Sequence, residues 1–224
     1  MKAVYLHPLP VRIWHWINAS CMILLILSAL QIRYVGLIDV TSFHTAVVVH
    51  NWTGFVMIGN YLIWLLFYLN SDKIKTYHAD PPKKFFAGAF RQMQFYAYGI
   101  FVGDPNPFRV TPYNKFNPLQ IVLYQIVVLL LLPIQFVTGI LLWDVKHFSA
   151  QVDFFGGVRV VDSVHVLIFI FFVFFIQMHI YLATLGHTPL AHIKAMFTGY
   201  EEFEDHDAAK SSADTSFKGD TTRV

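Results

Sequence analysis

The chain has 224 residues, 56% of them hydrophobic and 13% charged, with a formal net charge of +2. So small a charge excludes the basic surface of a nucleic-acid-binding protein, and charges gathered outside long apolar runs exclude an ordinary water-soluble domain. The single cysteine, Cys21, excludes an intrachain disulfide, a cysteine-ligated iron–sulfur cluster and the two-cysteine attachment of a c-type haem.

A helix needs about 20 apolar residues to cross the hydrocarbon core of a bilayer. Four segments reach that length: Trp16–Tyr34, Val47–Leu69, Leu119–Trp143 and Val164–Leu185. The sequence therefore predicts an all-α membrane protein, a four-transmembrane-helix bundle occupying residues 1–200. The first apolar run is long and no small-x-small cleavage site follows it, so an uncleaved span is expected rather than a signal peptide. Between the second and third spans, Asp80-Pro81-Pro82-Lys83-Lys84 opens an aromatic stretch from Phe85 to Phe101, and Asp104-Pro105-Asn106-Pro107 closes it. Phe85–Ile100 reads as an interfacial amphipathic helix whose aromatics and Arg91 suit the headgroup layer. From Glu201 the chain is acidic and then rich in Ser, Asp, Lys and Thr, with almost nothing to bury, so 201–224 is expected to be a disordered tail.

Topology follows from the cations. Of 16 Lys and Arg, seven (Lys73, Lys75, Lys83, Lys84, Arg91, Arg109 and Lys115) lie between the second and third spans. Lys2 and Arg12 precede the first span; only Arg33 falls in the first connection, and Lys146 and Arg159 in the third. The positive-inside rule then puts both termini and the long middle segment in the cytoplasm of a bacterial inner membrane, with two short connections outside. Trp14, Trp16, Tyr34, Trp143 and Tyr181, at the span ends, read first as interface anchors.

Eleven histidines are many for this length, and four fall within or at the edge of predicted spans: His15, His50, His165 and His179. An imidazole in hydrocarbon must satisfy its ring nitrogens, and a lone one is as well explained by a bond to a neighbouring helix as by function. Four at matched depths are not. His165 and His179 are 14 residues apart on one helix, so they sit roughly 21 Å apart along it and point within about 40° of each other. With the expected topology, His165 is outer and His179 inner, His15 is inner and His50 outer. The pairs are His50 with His165 and His15 with His179, placing an iron-ligating imidazole pair near each membrane surface. Haem iron held by two imidazoles has no open position and passes electrons without binding substrate. Two b-type haems at two depths would form a transmembrane electron wire.

Supporting residues carry ordinary alternatives. Gly54, one turn beyond His50, and Gly139 remove bulk where a porphyrin face would lie, or simply let helices pack. Arg12 would pair with an inner haem propionate, or serve as a cytoplasmic anchor. Pro133 is expected only to kink the third span. His44 and His187 lie just beyond predicted span ends and would become competing ligands if those ends moved by a turn, while His7, His78, His147, His192 and His206 read as solvated.

The run His7-Pro8-Leu9-Pro10-Val11-Arg12-Ile13-Trp14-His15-Trp16-Ile17-Asn18, with the His165 and His179 pair, resembles the cytochrome b subunits of nickel–iron hydrogenases, formate dehydrogenases and thiosulfate reductases, nearest to the thiosulfate-reductase-like branch. The resemblance spans about His7 to Leu185. It implies a four-helix bundle with two haems b paired as above, exchanging electrons with the membrane quinone pool (menaquinone or ubiquinone). On the outer face it implies a periplasmic redox subunit carrying iron–sulfur clusters or c-type haems, joined to a further catalytic subunit. Phe116-Asn117-Pro118-Leu119-Gln120 is similar to the family's Y-N-x-x-Q element, implying quinone contacts from Asn117 and Gln120. Phe116 departs from the usual Tyr and lacks its hydroxyl, and Asn117 before Pro118 is equally suited to capping a helix. Two other classes share parts of this pattern: a stand-alone membrane ferric or superoxide reductase, and a colourless transporter or scaffold. Against the last, no predicted span buries an Asp or Glu, and ligands at two depths do not converge on one tetrahedral zinc.

Overall fold

The computed structural model describes residues 2–70, 82–104, 107–108, 117–184 and 188–203. Four of its helices are long and apolar enough to cross a membrane: Leu9–Arg33, Phe43–Leu69, Leu119–Trp143 and Val158–Ala183. The four expected spans are all present, and the third keeps its predicted bounds. The first helix begins seven residues earlier than its apolar run, so Arg12, Trp14 and His15 are all helical. Pro10 does not prevent this, because a proline in the first turn forfeits only an N–H that has no intrahelical acceptor. The second helix likewise begins at Phe43 and takes in His44, placed outside it by hydropathy alone. Ser42 caps it, its Oγ accepting from the Thr45 N–H at 3.0 Å. Large apolar side chains stay exposed along all four helices, among them Leu27, Leu66, Leu129 and Phe174. Such a surface is stable only against lipid or protein.

The third span is not a uniform helix. Val127–Leu131 is a π-helical stretch, in which the Leu132 N–H reaches back five residues to the Val127 carbonyl. The next bond in that register would run from residue 133 to the Val128 carbonyl, and Pro133 has no N–H to give. Tyr61, on the second span, supplies the donor instead: its Oη lies 3.1 Å from the Val128 oxygen. Pro133 thus does more than the expected kink, since it recruits a side chain from a neighbouring helix.

Among the described residues the chain forms two compact units. One is Trp14–Asp80 with Leu119–Met178; the other is Met1–Ile13, Pro81–Pro118 and His179–Val224. In the first, Trp64 lies at the centre of an apolar cluster with Tyr61, Met57, Val128 and Phe172, stacked on Trp14 with ring centres 5.6 Å apart. Gln31, 5% exposed, clasps the Thr41 backbone from both sides: its amide donates to the Thr41 carbonyl and its Oε1 accepts from the Thr41 N–H at 3.2 Å. That clasp closes the connection leading to the second span.

In the other unit, the helix expected between the second and third spans is Pro82–Gln94, continued by a π-helical Phe95–Gly99 and by Ile100–Val102. Phe86, Phe90, Met93 and Phe101 are exposed on it while Gln92 is buried, the one-sided pattern an interfacial helix requires. Gly103 ends it with φ at +82°. One element was not expected. Lys2–Tyr5 (β1) pairs antiparallel with Tyr200–Phe203 (β2), in register Tyr5 to Tyr200 and Lys2 to Phe203. The expected boundary between bundle and tail at residue 200 therefore falls inside a strand; the remainder of that tail, 204–224, lies outside the described residues.

Candidate functional site

The second and fourth spans bring His50 and His165 together. Their ring centres are 6.4 Å apart with planes inclined at 67°. A usual metal–imidazole bond of about 2 Å on each side, plus roughly 1.1 Å from each bonded nitrogen to its ring centre, separates two rings sharing one metal ion by about 6 Å. The observed spacing meets that requirement before any cofactor is considered.

Each imidazole is braced by a hydroxyl from another span. Ser28 Oγ, on the first span, lies 2.9 Å from His50 Nδ1, and Thr138 Oγ1, on the third, lies 2.9 Å from His165 Nδ1. Ser28 also donates to the Leu24 carbonyl at 2.7 Å, and Thr138 to the Ile134 carbonyl at 2.8 Å. Gln135 approaches His165 from its other side, amide nitrogen to Nε2 at 3.2 Å, while its own Oε1 is buried with no hydrogen-bond partner among the described residues. Gly139 completes the wall: a Cβ there would lie 3.2 Å from His165 Cε1, close enough that the ring would have to give by a few tenths of an ångström. At Gly54 a Cβ would meet nothing within 4 Å, leaving open space one turn beyond His50. Beside Thr138 an apolar cleft of about 290 Å³ is lined by Pro133, Val137, Leu141, Val160 and Val164.

The other expected pair is divided between the two units. His15 is half-buried, its ring edge-on to Trp16 at 5.2 Å. His179 is exposed near the far end of the fourth span. Arg12 donates from its NH1 to the Phe197 carbonyl, and its Nε is buried with no acceptor among the described residues. Trp14 and Trp64 bury indole N–H groups that likewise lack an acceptor there. Asn117, 2% exposed, donates its amide to Tyr96 Oη at 3.2 Å, while Gln120 is exposed on the following turn. Phe116 and His187 lie outside the described residues. His44 is exposed in the first turn of its helix. No three His, Cys, Asp or Glu side chains converge as a metal site among the described residues, so paired imidazoles, not a multidentate cluster, are the available ligands.

Four apolar helices with a histidine pair at iron-sharing distance can be placed among known families. The family model of prokaryotic cytochrome b561 matches residues 6–199. The chain belongs to that family. A relative from Escherichia coli (strain K12), named "Putative cytochrome YdhU", is 35% identical over 200 residues, covering 89% of this chain and 75% of the relative. As a prokaryotic cytochrome b561, the protein is a multi-pass membrane protein of the inner membrane that binds haem b and transfers electrons across it.

Ser28, Thr138, Gln135, Tyr61 and Tyr96 were not anticipated. A hydroxyl within an apolar run was the available signal for Ser28 and Thr138, because in hydrocarbon such a group needs a partner. Their choice of partner depends on helix packing that the sequence does not display.

Proposed function

We propose that this cytochrome carries electrons between a periplasmic redox subunit and the membrane quinone pool through two haems b, one held by His50 and His165 and the other by His15 and His179. The observation that carries the reading is the 6.4 Å separation of the first two imidazoles, each already braced at Nδ1. When bound, haem b supplies a reversible one-electron couple. The two imidazoles of each pair would hold its iron and leave no open position for oxygen or substrate. The apolar helices exclude water, and the hydroxyls hold the rings in orientation.

For the second site the support is the sequence depth of His15 and His179 together with a buried Arg12 Nε that has no acceptor among the described residues. The Arg12 Nε suits a propionate, which a charge-assisted hydrogen bond would hold. For quinone, Asn117 and Gln120 remain the candidates, and Tyr96 brings to Asn117 a phenol hydroxyl of the kind that Phe116 lacks. The outer partner, with iron–sulfur clusters or c-type haems and its own catalytic subunit, follows from the resemblance to cytochrome b subunits of such complexes; its potential sets the direction of flow.

The test is a dithionite-reduced minus oxidised absorption spectrum of the purified chain with a pyridine haemochrome count. Two b-type haems per chain are expected, falling to one in His50→Ala or His165→Ala and in His15→Ala or His179→Ala. A single haem lost equally on replacing any of the four would refute the two-site reading. Co-purification of redox subunits separates the proposal from a stand-alone ferric or superoxide reductase.

A further inference from the structure

The geometry points to Ser28 and Thr138 as positioning residues that fix His50 and His165 in the tautomer protonated on Nδ1 and lower the reduction potential of the haem they hold. The inference rests on the reading of that pair as haem ligands. It begins with a proton count. Each hydroxyl has one proton, and each directs it to its own helix: Ser28 to the Leu24 carbonyl at 2.7 Å with Leu25 at 3.1 Å, Thr138 to the Ile134 carbonyl at 2.8 Å with Gln135 at 3.1 Å. Only lone pairs are left to face the imidazoles, so at 2.9 Å the ring nitrogens must donate.

An independent contact on His165 agrees. The Gln135 amide nitrogen, which can only donate, lies 3.2 Å from Nε2, so Nε2 carries the lone pair. In both histidines Nε2 thereby carries the lone pair that iron would take, at His165 in place of the Gln135 amide. The hydroxyl's own bond to a carbonyl polarises its oxygen and makes it a better acceptor for the imidazole N–H. An imidazole that donates strongly from Nδ1 is a more basic ligand through Nε2, which favours ferric over ferrous iron. All four spans then serve one haem, the second and fourth through ligands and the first and third through the hydroxyls that orient them.

Redox titration of the purified chain, with the two haems resolved and the His50–His165 haem identified by its loss in His50→Ala, tests this. In Ser28→Ala and Thr138→Val that haem's midpoint should move to more positive potential, and the chain should bind it about 10-fold more weakly. Ser28→Thr and Thr138→Ser, which keep a hydroxyl, should restore both, and the second haem's midpoint should stay put. If Thr138→Val sheds the haem, Ser28→Ala carries the same test at the other ligand. Loss from both, with the hydroxyl-retaining variants intact, is the affinity arm of the expected result. Unmoved midpoints in haem-replete Ser28→Ala and Thr138→Val, or an equal shift of both haems, would overturn the tautomer lock and leave the haem assignment standing. A wild-type chain without b-type haem would instead remove the reading beneath it.

Discussion

At the scale of single residues, the tightest constraint on the His50–His165 site is the missing side chain at position 139. An alanine there would place its Cβ 3.2 Å from His165 Cε1, and the imidazole, bonded through its neighbouring Nδ1 to Thr138, would have to shift by a few tenths of an ångström. Gly139→Ala is expected to cost about 1–3 kcal/mol in overpacking and to lower haem content, read by pyridine haemochrome and by thermal melting in detergent. Gly59→Ala is the matching control: its Cβ meets nothing within 4 Å, and the gain in helix propensity is about 0.5–1 kcal/mol. A Gly139→Ala protein with full haem and an unshifted melting temperature would show that the third span is free to retreat. The approach of His50 to His165 was legible from spacing, because depth and helical phase are arithmetic on residue numbers. The hydroxyls were not, because Ser28 and His50 are 22 residues apart on different helices and only packing joins them.

At the scale of elements, the third span shows why hydropathy finds a helix but not its internal geometry. Pro133 announced a disturbance; it did not announce a π-helical turn before it or a tyrosine from the second span completing the Val128 carbonyl. An unpaired carbonyl in an apolar interior costs roughly 1–3 kcal/mol, so Tyr61→Phe should destabilise the bundle by that order. The cause can be isolated by a double-mutant cycle. Pro133→Ala restores an N–H one residue beyond Leu132, and in that background Tyr61→Phe should cost about 1 kcal/mol less than in the native chain. Equal costs in both backgrounds, measured by denaturant unfolding in detergent, would mean that the hydroxyl does not stand in for the proline's missing donor. The start of the first span tells the same story. The apolar run begins at Trp16 but the helix begins at Leu9, since helix continuation depends on capping and backbone bonds while hydropathy reports only on lipid.

At the scale of the whole molecule, the two strands join the chain's beginning to the segment that follows the last span. Gly199 makes this possible: its φ is +88°, its carbonyl accepts from both Leu6 and His7, and a Cβ would come within 2.7 Å of the Tyr5 ring. Gly199→Ala should therefore open the ribbon, seen as faster amide exchange over residues 2–5 and 200–203 with the apolar spans unchanged. Protection equal to wild type would refute this role.

The same whole-molecule view gives an expectation for the membrane face of the His50–His165 pair. An even number of spans puts both ends of the bundle on one side, and the seven cations between the second and third spans favour the cytoplasm. Cys21, the chain's one cysteine, is buried, so Cys21→Ser gives a clean background for single introduced cysteines. Val35→Cys and Lys146→Cys should react with a membrane-impermeant maleimide in intact spheroplasts, whereas Lys84→Cys and Lys210→Cys should react only after lysis. That pattern would put His50 and His165, near the starts of the second and fourth spans, beside the outer face where a periplasmic subunit could exchange electrons with their haem. The reverse pattern would turn the wire over, bringing that haem to the cytoplasmic side and leaving Asn117, Gln120 and Tyr96 on the outer face. The proposed pairing of His50 with His165 would survive such a result, but the proposed placing of partner and quinone at opposite faces would not.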